Sequence, residues 1–256
     1  MEYLVFQLYG PFASWGEAAV GESRHSESYP SRSAIVGLLS SALGITRDQE
    51  ENHQQFSPDH YLFAFKIRSS GSLLKDYHTT QIPDSVGKKK YHSRYEEIRH
   101  GKERLGTVLS SREYRLDASV HVSVLMKPNA KWTLKELQAA LNTPKFHLYL
   151  GRKSNPLALP LDPQLIVSNG FLDSFNNFQM KPFVEGLSAY GCIERWMPVE
   201  NYERYAWEGE IKDFSDEPDF DKNQVQIRIR HDIPRSRQRW QFKSREEYFY
   251  QMRGSV

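Results

Sequence analysis

A chain of 256 residues with 39% hydrophobic and 26% charged residues has a globular make-up, long enough for one large domain or two smaller ones, and not that of a disordered or fibrous chain. Lys and Arg number 34 against 32 Asp and Glu, a formal net charge of +2, so the overall balance does not mark a nucleic-acid binder. The single cysteine, Cys192, excludes an internal disulfide and a cysteine-pair zinc site and suits a reducing cytoplasm.

Residues 2–9 read as a strand of aromatic and branched side chains ended by Gly10-Pro11. This start has no basic segment followed by a long apolar core, so no signal peptide is expected, and no apolar run is long enough for a membrane span. A polar loop with Trp15 and Arg24 leads to Ser31-Arg32-Ser33. Ile35, Leu38, Leu39, Ala42 and Leu43 then recur at helical spacing, with Ser31 as N-cap and Gly44 as stop. A short polar helix is expected near 47–55. Residues 60–68 read as a second strand, interrupted at Ser69-Ser70-Gly71 and resumed to about Gln81. A polar, Lys-rich excursion follows over 82–111. Residues 114–126 alternate as a strand, 133–142 form a helix capped near Thr133, and 145–150 form a further strand. The order is β-α-β-β-α-β, an α+β ferredoxin-like (RRM-like) arrangement with an inserted thumb. Residues 151–256 read as a smaller β-rich part, with short strands around 187–194, 204–211 and 225–231. The expected division is therefore 1–150 and 151–256.

Charge is unevenly spread. Residues 75–115 hold ten Lys/Arg against six Asp/Glu, and 228–253 hold eight against three. Residues 194–221 hold three against ten. The basic blocks can follow a phosphate backbone or be ordinary solvated faces. Three local patterns suit an anion. Ser31, Arg32 and Ser33 open a helix, where amide groups and the dipole favour negative charge; a plain serine cap is the bland alternative. Gly151, Arg152, Lys153 and Ser154 place two cations beside a glycine; the bland alternative is a basic turn. Tyr77, His78 and Thr79 face Arg112 and Tyr114 across the root of the insertion, offering rings for bases and cations for phosphates. The last set could instead serve a metal-independent ribonuclease, with His78 as base and Tyr77, Lys75 or Arg112 in support. No Walker, zincin, nucleophile-elbow or dinucleotide motif occurs, and the nine histidines show no metal-ligand spacing. No catalytic residue, metal or cofactor is assigned.

Several stretches together resemble one family. These are Tyr3 to Leu8, Gly10-Pro11, Ser14-Trp15-Gly16, Arg24, Pro30 to Ser33, Leu74 to Thr79, Arg112 to Tyr114, Tyr149 to Ser154, and Arg239 to Phe242. In order and over nearly the whole chain, they resemble the type I-E branch of the Cas-five family of RAMP proteins from CRISPR Cascade complexes. The resemblance implies a non-catalytic subunit that grips the 5′ handle of the guide RNA and caps the filament of backbone subunits. Its partners would be that RNA, the Cascade backbone subunit, the Cascade large subunit and, through the complex, target DNA. It implies RNA contacts from Trp15, Arg24, Ser31, Arg32, Ser33, Tyr77, His78, Thr79, Arg112, Tyr114 and Gly151 to Ser154. It also implies thumb contacts from Lys88, Lys89, Lys90, Arg94 and Arg99. A sister branch in type I-C systems cleaves repeat RNA itself, whereas the type I-E branch is expected to leave cutting to another subunit.

Overall fold

The computed structural model describes residues 1–17, 19, 21–83, 90–100, 105–180, 202–218, 220–236, 239 and 241–253. Strand β1 (Glu2–Ala13) is followed by a two-residue strand β2 (Ser23–Arg24), helix α1 (Arg32–Leu43) and a short α2 (Glu50–Gln54). Strands β3 (Tyr61–Ser69) and β4 (Ser72–Pro83), helix α3 (Arg94–His100) and the long β5 (Leu105–Met126) come next. After α4 (Leu134–Asn142) come β6 (Gln164–Val167), α5 (Phe171–Asn176), β7 (Tyr202–Trp207), α6 (Ile211–Phe214), β8 (Gln226–Ser236) and β9 (Gln241–Arg253).

The helix ends follow the sequence signals. Ser31 caps α1 through its side chain to the Ala34 amide, and Gly44 ends it in the left-handed region at φ 77°. Thr133 and Glu136 form a reciprocal capping box on α4. Along β1, alternate residues enter two cores. Leu4, Phe6 and Leu8 meet Leu38, Leu39 and Leu137 from α1 and α4. Tyr3 and Val5 meet Phe171 and Phe175 of α5, with Phe214 and Trp207. The central strands are therefore covered on both faces.

The sheet runs in the order β6-β1-β5-β3-β7-β9-β8, and the neighbouring pairs along this path are antiparallel. Two expectations are corrected here. Residues 145–150 make only a bridge between Tyr149 and Pro156, and the strand beside β1 is β6, past residue 150. Prolines at 156, 160 and 163 keep that intervening stretch out of the ladder. The excursion after β4 is narrower than 82–111, because 105–111 already belong to β5. The later strands extend the same sheet: β7 pairs with β3 and carries β9 and β8 with it. The strand expected around 187–194 lies outside the described residues. Among the described residues no helix is long and apolar enough to cross a membrane.

β5 spans 22 residues, about 70 Å at strand rise. Its C-terminal half sits in the central sheet, and its N-terminal half pairs with β4 as an exposed two-stranded arm. The chain leaves β3 through a register shift between Ile67 and Ser69 and turns at Gly71, φ 65°. A Cβ on Gly71 would lie 2.1 Å from the Leu116 carbonyl oxygen, so a larger residue would push the arm off its partner strand.

A buried charge network joins α1 to the C-terminal hairpin. Arg32, 1% exposed, donates through Nη1 to Glu208 and through Nη2 to the carbonyls of Phe56 (2.5 Å) and Tyr61 (3.1 Å). Its backbone amide donates to Asp232 Oδ2 at 2.7 Å. Arg245 donates to both oxygens of Asp232 at 2.7 and 2.9 Å and to Glu247 at 2.7 Å. Glu247 in turn accepts from the Tyr29 hydroxyl at 2.5 Å. Burial pushes the Asp232 carboxyl up, but the Arg245 hydrogen bonds and charge and the Arg32 amide outweigh it and hold the group below its ordinary range. The same burial raises Glu208, against the pull of Arg32 and Arg245.

Two predictions follow from this interior. Arg32→Met leaves Glu208 buried with one arginine lost, and should cost about 3–5 kcal/mol in chemical denaturation. Adding Glu208→Leu should recover much of that loss; no recovery would argue against the pair as the cause. His121 is buried, and burial, with Arg68 and Lys66 nearby, drives its imidazole down to about 3. The unfolded chain therefore takes up a proton below about pH 6.5 that the folded chain refuses, so stability falls as pH drops through that window. Wild type should lose about 2 kcal/mol more than His121→Met between pH 7 and pH 5. Equal losses in urea titrations at the two pH values would contradict this.

Candidate nucleic-acid interface

A cleft of about 580 Å³ lies between the β2 segment, the first turns of α1, the loop at 148–152 and the β8–β9 hairpin. Arg24, His25, Ser31, Ser33, Gly151 and Arg152 all line it. Backbone contacts bring these distant segments together. Ser14, just past β1, donates its amide to the Leu150 carbonyl at 3.1 Å. β2 lies parallel to β5, with Arg24 beside Arg112. The 150–155 loop closes on itself through Leu150 N to Asn155 O (2.8 Å) and Asn155 N to Arg152 O (2.9 Å). Gly151 sits at φ 82°, and a Cβ there would lie 1.8 Å from the Ser14 carbonyl oxygen. The glycine thus lets the loop settle on its own scaffold, rather than opening space for a ligand as its place beside two cations suggests.

Arg152 carries the main charge of this loop. Its guanidinium lies 4.6 Å from the centre of the Tyr114 ring, and Tyr114 meets Phe12 edge-on at 6.1 Å. Its Nη1 is buried with no hydrogen-bond acceptor among the described residues. A buried donor without a partner is costly, and an acceptor that reached it would relieve that cost. Arg24 is exposed and steadied from below, donating to the carbonyls of Gly21 (2.5 Å) and Ser23 (3.1 Å).

The other candidate residues fall into distinct places. The Arg32 guanidinium is corrected: it is spent in the buried network and does not reach a surface phosphate. The anion at the start of α1 is already a carboxylate, Asp232, bound to the Arg32 amide. Ser31 is buried as the cap and shares a 2.9 Å contact with Ser33, which is half-buried. Trp15 is also corrected, since its ring is packed in the larger core and presents no stacking face. Lys153 is exposed, and Ser154 donates to the Asn155 side chain at 3.2 Å.

On the arm, Tyr77 is opposite Ser111 while Tyr114 is opposite Leu74. Strand alternation therefore sets the two tyrosines on opposite faces of the hairpin, and they cannot grip one nucleotide together. Tyr77 is 64% exposed. His78 Nε2 lies 2.7 Å from Asp76 Oδ2, and Arg112 faces Asp76 across the ladder. Thr79 is exposed opposite Leu109. Lys88 and Lys89 lie outside the described residues. Lys90 is exposed; Arg94 pairs with Glu97 at 2.5 Å, and Arg99 donates to the Tyr95 hydroxyl at 2.6 Å. The cleft also contains His25, Arg47 and Tyr149, which residue patterns did not single out. His25 meets Glu113 at 3.0 Å across 88 positions of chain, a distance no local spacing can signal.

Known proteins agree with this architecture. A family model described as CRISPR-associated protein (Cas_Cas5) matches residues 3–247. The CRISPR system Cascade subunit CasD of Escherichia coli (strain K12) is 32% identical over 177 residues, 65% of this chain and 76% of that protein. A chain of a CRISPR RNA-guided surveillance complex superposes over 99% of this chain and 90% of its own length, with TM-score 0.63 at 20% identity. A structure described as a Cas protein covers 96% and 94%, with TM-score 0.51 at 21% identity. At those identities the two structures speak for the fold. With the family model spanning nearly the whole sequence, the chain belongs to the Cas5 family of CRISPR-associated proteins.

Proposed function

We propose that the chain is the CasD-type subunit of a type I-E Cascade complex, a non-catalytic protein that holds the 5′ handle of the guide RNA in the cleft. The observation that carries this reading is Arg152, buried at Nη1 without an acceptor, stacked on Tyr114 and facing the same cleft as Arg24. A phosphodiester supplies the missing acceptor, and an extruded base can use the aromatic surface nearby. The E. coli relative is named as a Cascade subunit, and a cytoplasmic ribonucleoprotein is the matching setting.

The antiparallel order β6-β1-β5-β3 supports a ferredoxin-like unit, with β6 as its fourth strand. The division at residue 150 is better drawn after β6, which completes that unit. The β4–β5 arm is the thumb. Its exposed Leu73, Tyr77, Ile82 and Val108 suit burial against the backbone subunit, and Lys90 adds charge for the RNA. The large subunit and target DNA would be met through the assembled complex.

Arg24→Ala and Arg152→Ala should each weaken binding of a handle RNA by roughly tenfold at physiological salt, and each should lower the log–log salt slope by about one. Filter binding at several salt concentrations measures both quantities; unchanged affinity in both variants would remove the cleft as the RNA site. Gly151→Ala should weaken binding as well, by lifting Arg152 off Tyr114. Purified chain incubated with repeat RNA in EDTA should leave it intact. Cleavage to a 2′,3′-cyclic phosphate, lost in His78→Ala, would overturn the non-catalytic assignment.

A further inference from the structure

Three groups at the cleft rim form a chain that phosphate binding by arginines does not require. His25 Nδ1 lies 3.0 Å from Glu113 Oε1, and His25 Nε2 lies 3.2 Å from the Ser23 hydroxyl. The chemistry assigns the protons. A carboxylate only accepts, so Nδ1 carries the hydrogen, and in the neutral ring Nε2 is an acceptor to which Ser23 donates. Glu113 is itself fixed, because its Oε2 accepts from the Ser26 amide at 3.1 Å. Burial pushes the Glu113 carboxyl up, but the Ser26 amide and His25 outweigh this and hold it below its ordinary range. A stable anion therefore backs the imidazole on one side. On the other side the ring is 69% exposed and lines the same cleft as Arg24 and Arg152.

We infer that His25 is a proton-linked RNA contact: it takes up a proton as the RNA enters, turns Nε2 from acceptor to donor, and exchanges the Ser23 hydroxyl for a phosphate oxygen. This rests on the reading of the cleft as an RNA site. The charges that bear on His25 come from every side. Glu113 opposes it from β5, and Lys75 stands beside Glu113 on β4. Arg24 adjoins it in sequence and Arg112 pairs with Arg24. Arg152, Arg47, Glu17 and His53 line the cleft with it. A phosphodiester entering the cleft sets a negative charge before the ring, while Glu113 stands behind Nδ1. The equilibrium then shifts toward imidazolium, which donates a charge-assisted bond to the phosphate. By linkage, a proton taken up on binding makes affinity fall as pH rises through the range in which imidazole titrates. Arginine stays charged across that range and gives no such slope.

The test uses the full chain and a single-stranded handle RNA with a 5′-hydroxyl, so that no terminal phosphate titrates. Affinity is measured from pH 6 to pH 8 at fixed salt. Wild type should bind about 5–10-fold tighter at pH 6 than at pH 8, while His25→Gln should vary less than about twofold over the same range. Glu113→Gln should move the wild-type response to lower pH, and circular dichroism with thermal melting checks that its fold is kept. If wild type and His25→Gln show parallel pH profiles, the contact is refuted while the cleft stands. If Arg24→Ala and Arg152→Ala bind as wild type does, the cleft itself fails and the His25 contact falls with it.

Discussion

The placement of helix α1 against the C-terminal hairpin is decided by one buried interaction, the Arg32–Glu208–Arg245–Asp232 network. Four charged groups from α1, the end of β7, β8 and β9 meet inside the protein, and each meets at least one opposite charge at hydrogen-bond distance. Ion pairs in such a place are poor sources of net stability, because both partners lose hydration. Their value lies in geometry. A guanidinium with fixed directions accepts few arrangements, and removing a partner is expensive, so the network specifies how the walls of the cleft stand relative to one another. The network contributes specificity of arrangement more than net stability, because the desolvation cost is large.

Backbone proximity completes the cleft from the other side. Ser14 and Gly151 touch through main-chain atoms, so the loop that carries Arg152 is positioned by β1 and not by its own side chains. Arg152 is the cation of that loop that lines the cleft, with Tyr114 beside its guanidinium. The arm has the opposite character. β4 and β5 continue far past the double-sided core, and apolar side chains there remain in contact with water. A two-stranded ribbon has no core of its own, and a partner surface is the natural way to cover such residues. The cleft walls and the reaching arm thus suit the two tasks proposed for them: one to hold an anion, the other to extend contact beyond the body of the protein.

Much of this was legible from residue order alone. Alternation along β1 and the C-terminal half of β5, the helical spacing of Ile35 to Leu43, Ser31 and Thr133 as caps, and Gly44 as a stop are local effects. Each depends on neighbours within a few positions, so the chain carries them wherever it is read. Arg152 as a cation beside a turn was legible in the same way, and Arg24 through the family resemblance. What the chain order could not convey was which charges would be used up internally. Arg32 and Arg152 look alike as basic residues beside small ones, yet Arg32 is consumed by Glu208, 176 positions away, while Arg152 keeps a donor unpaired. The strand β6 at Gln164–Val167 was missed because its four residues pair with β1 across the chain and carry too short an alternation to mark themselves. His25 and Glu113 meet only because β2 lies beside β5. Sequence by itself determined strand β1, the ends of α1 and α4 and the family; tertiary structure alone decided which segments pair and which polar groups face each other, because burial and partnership arise from contacts between segments far apart along the chain.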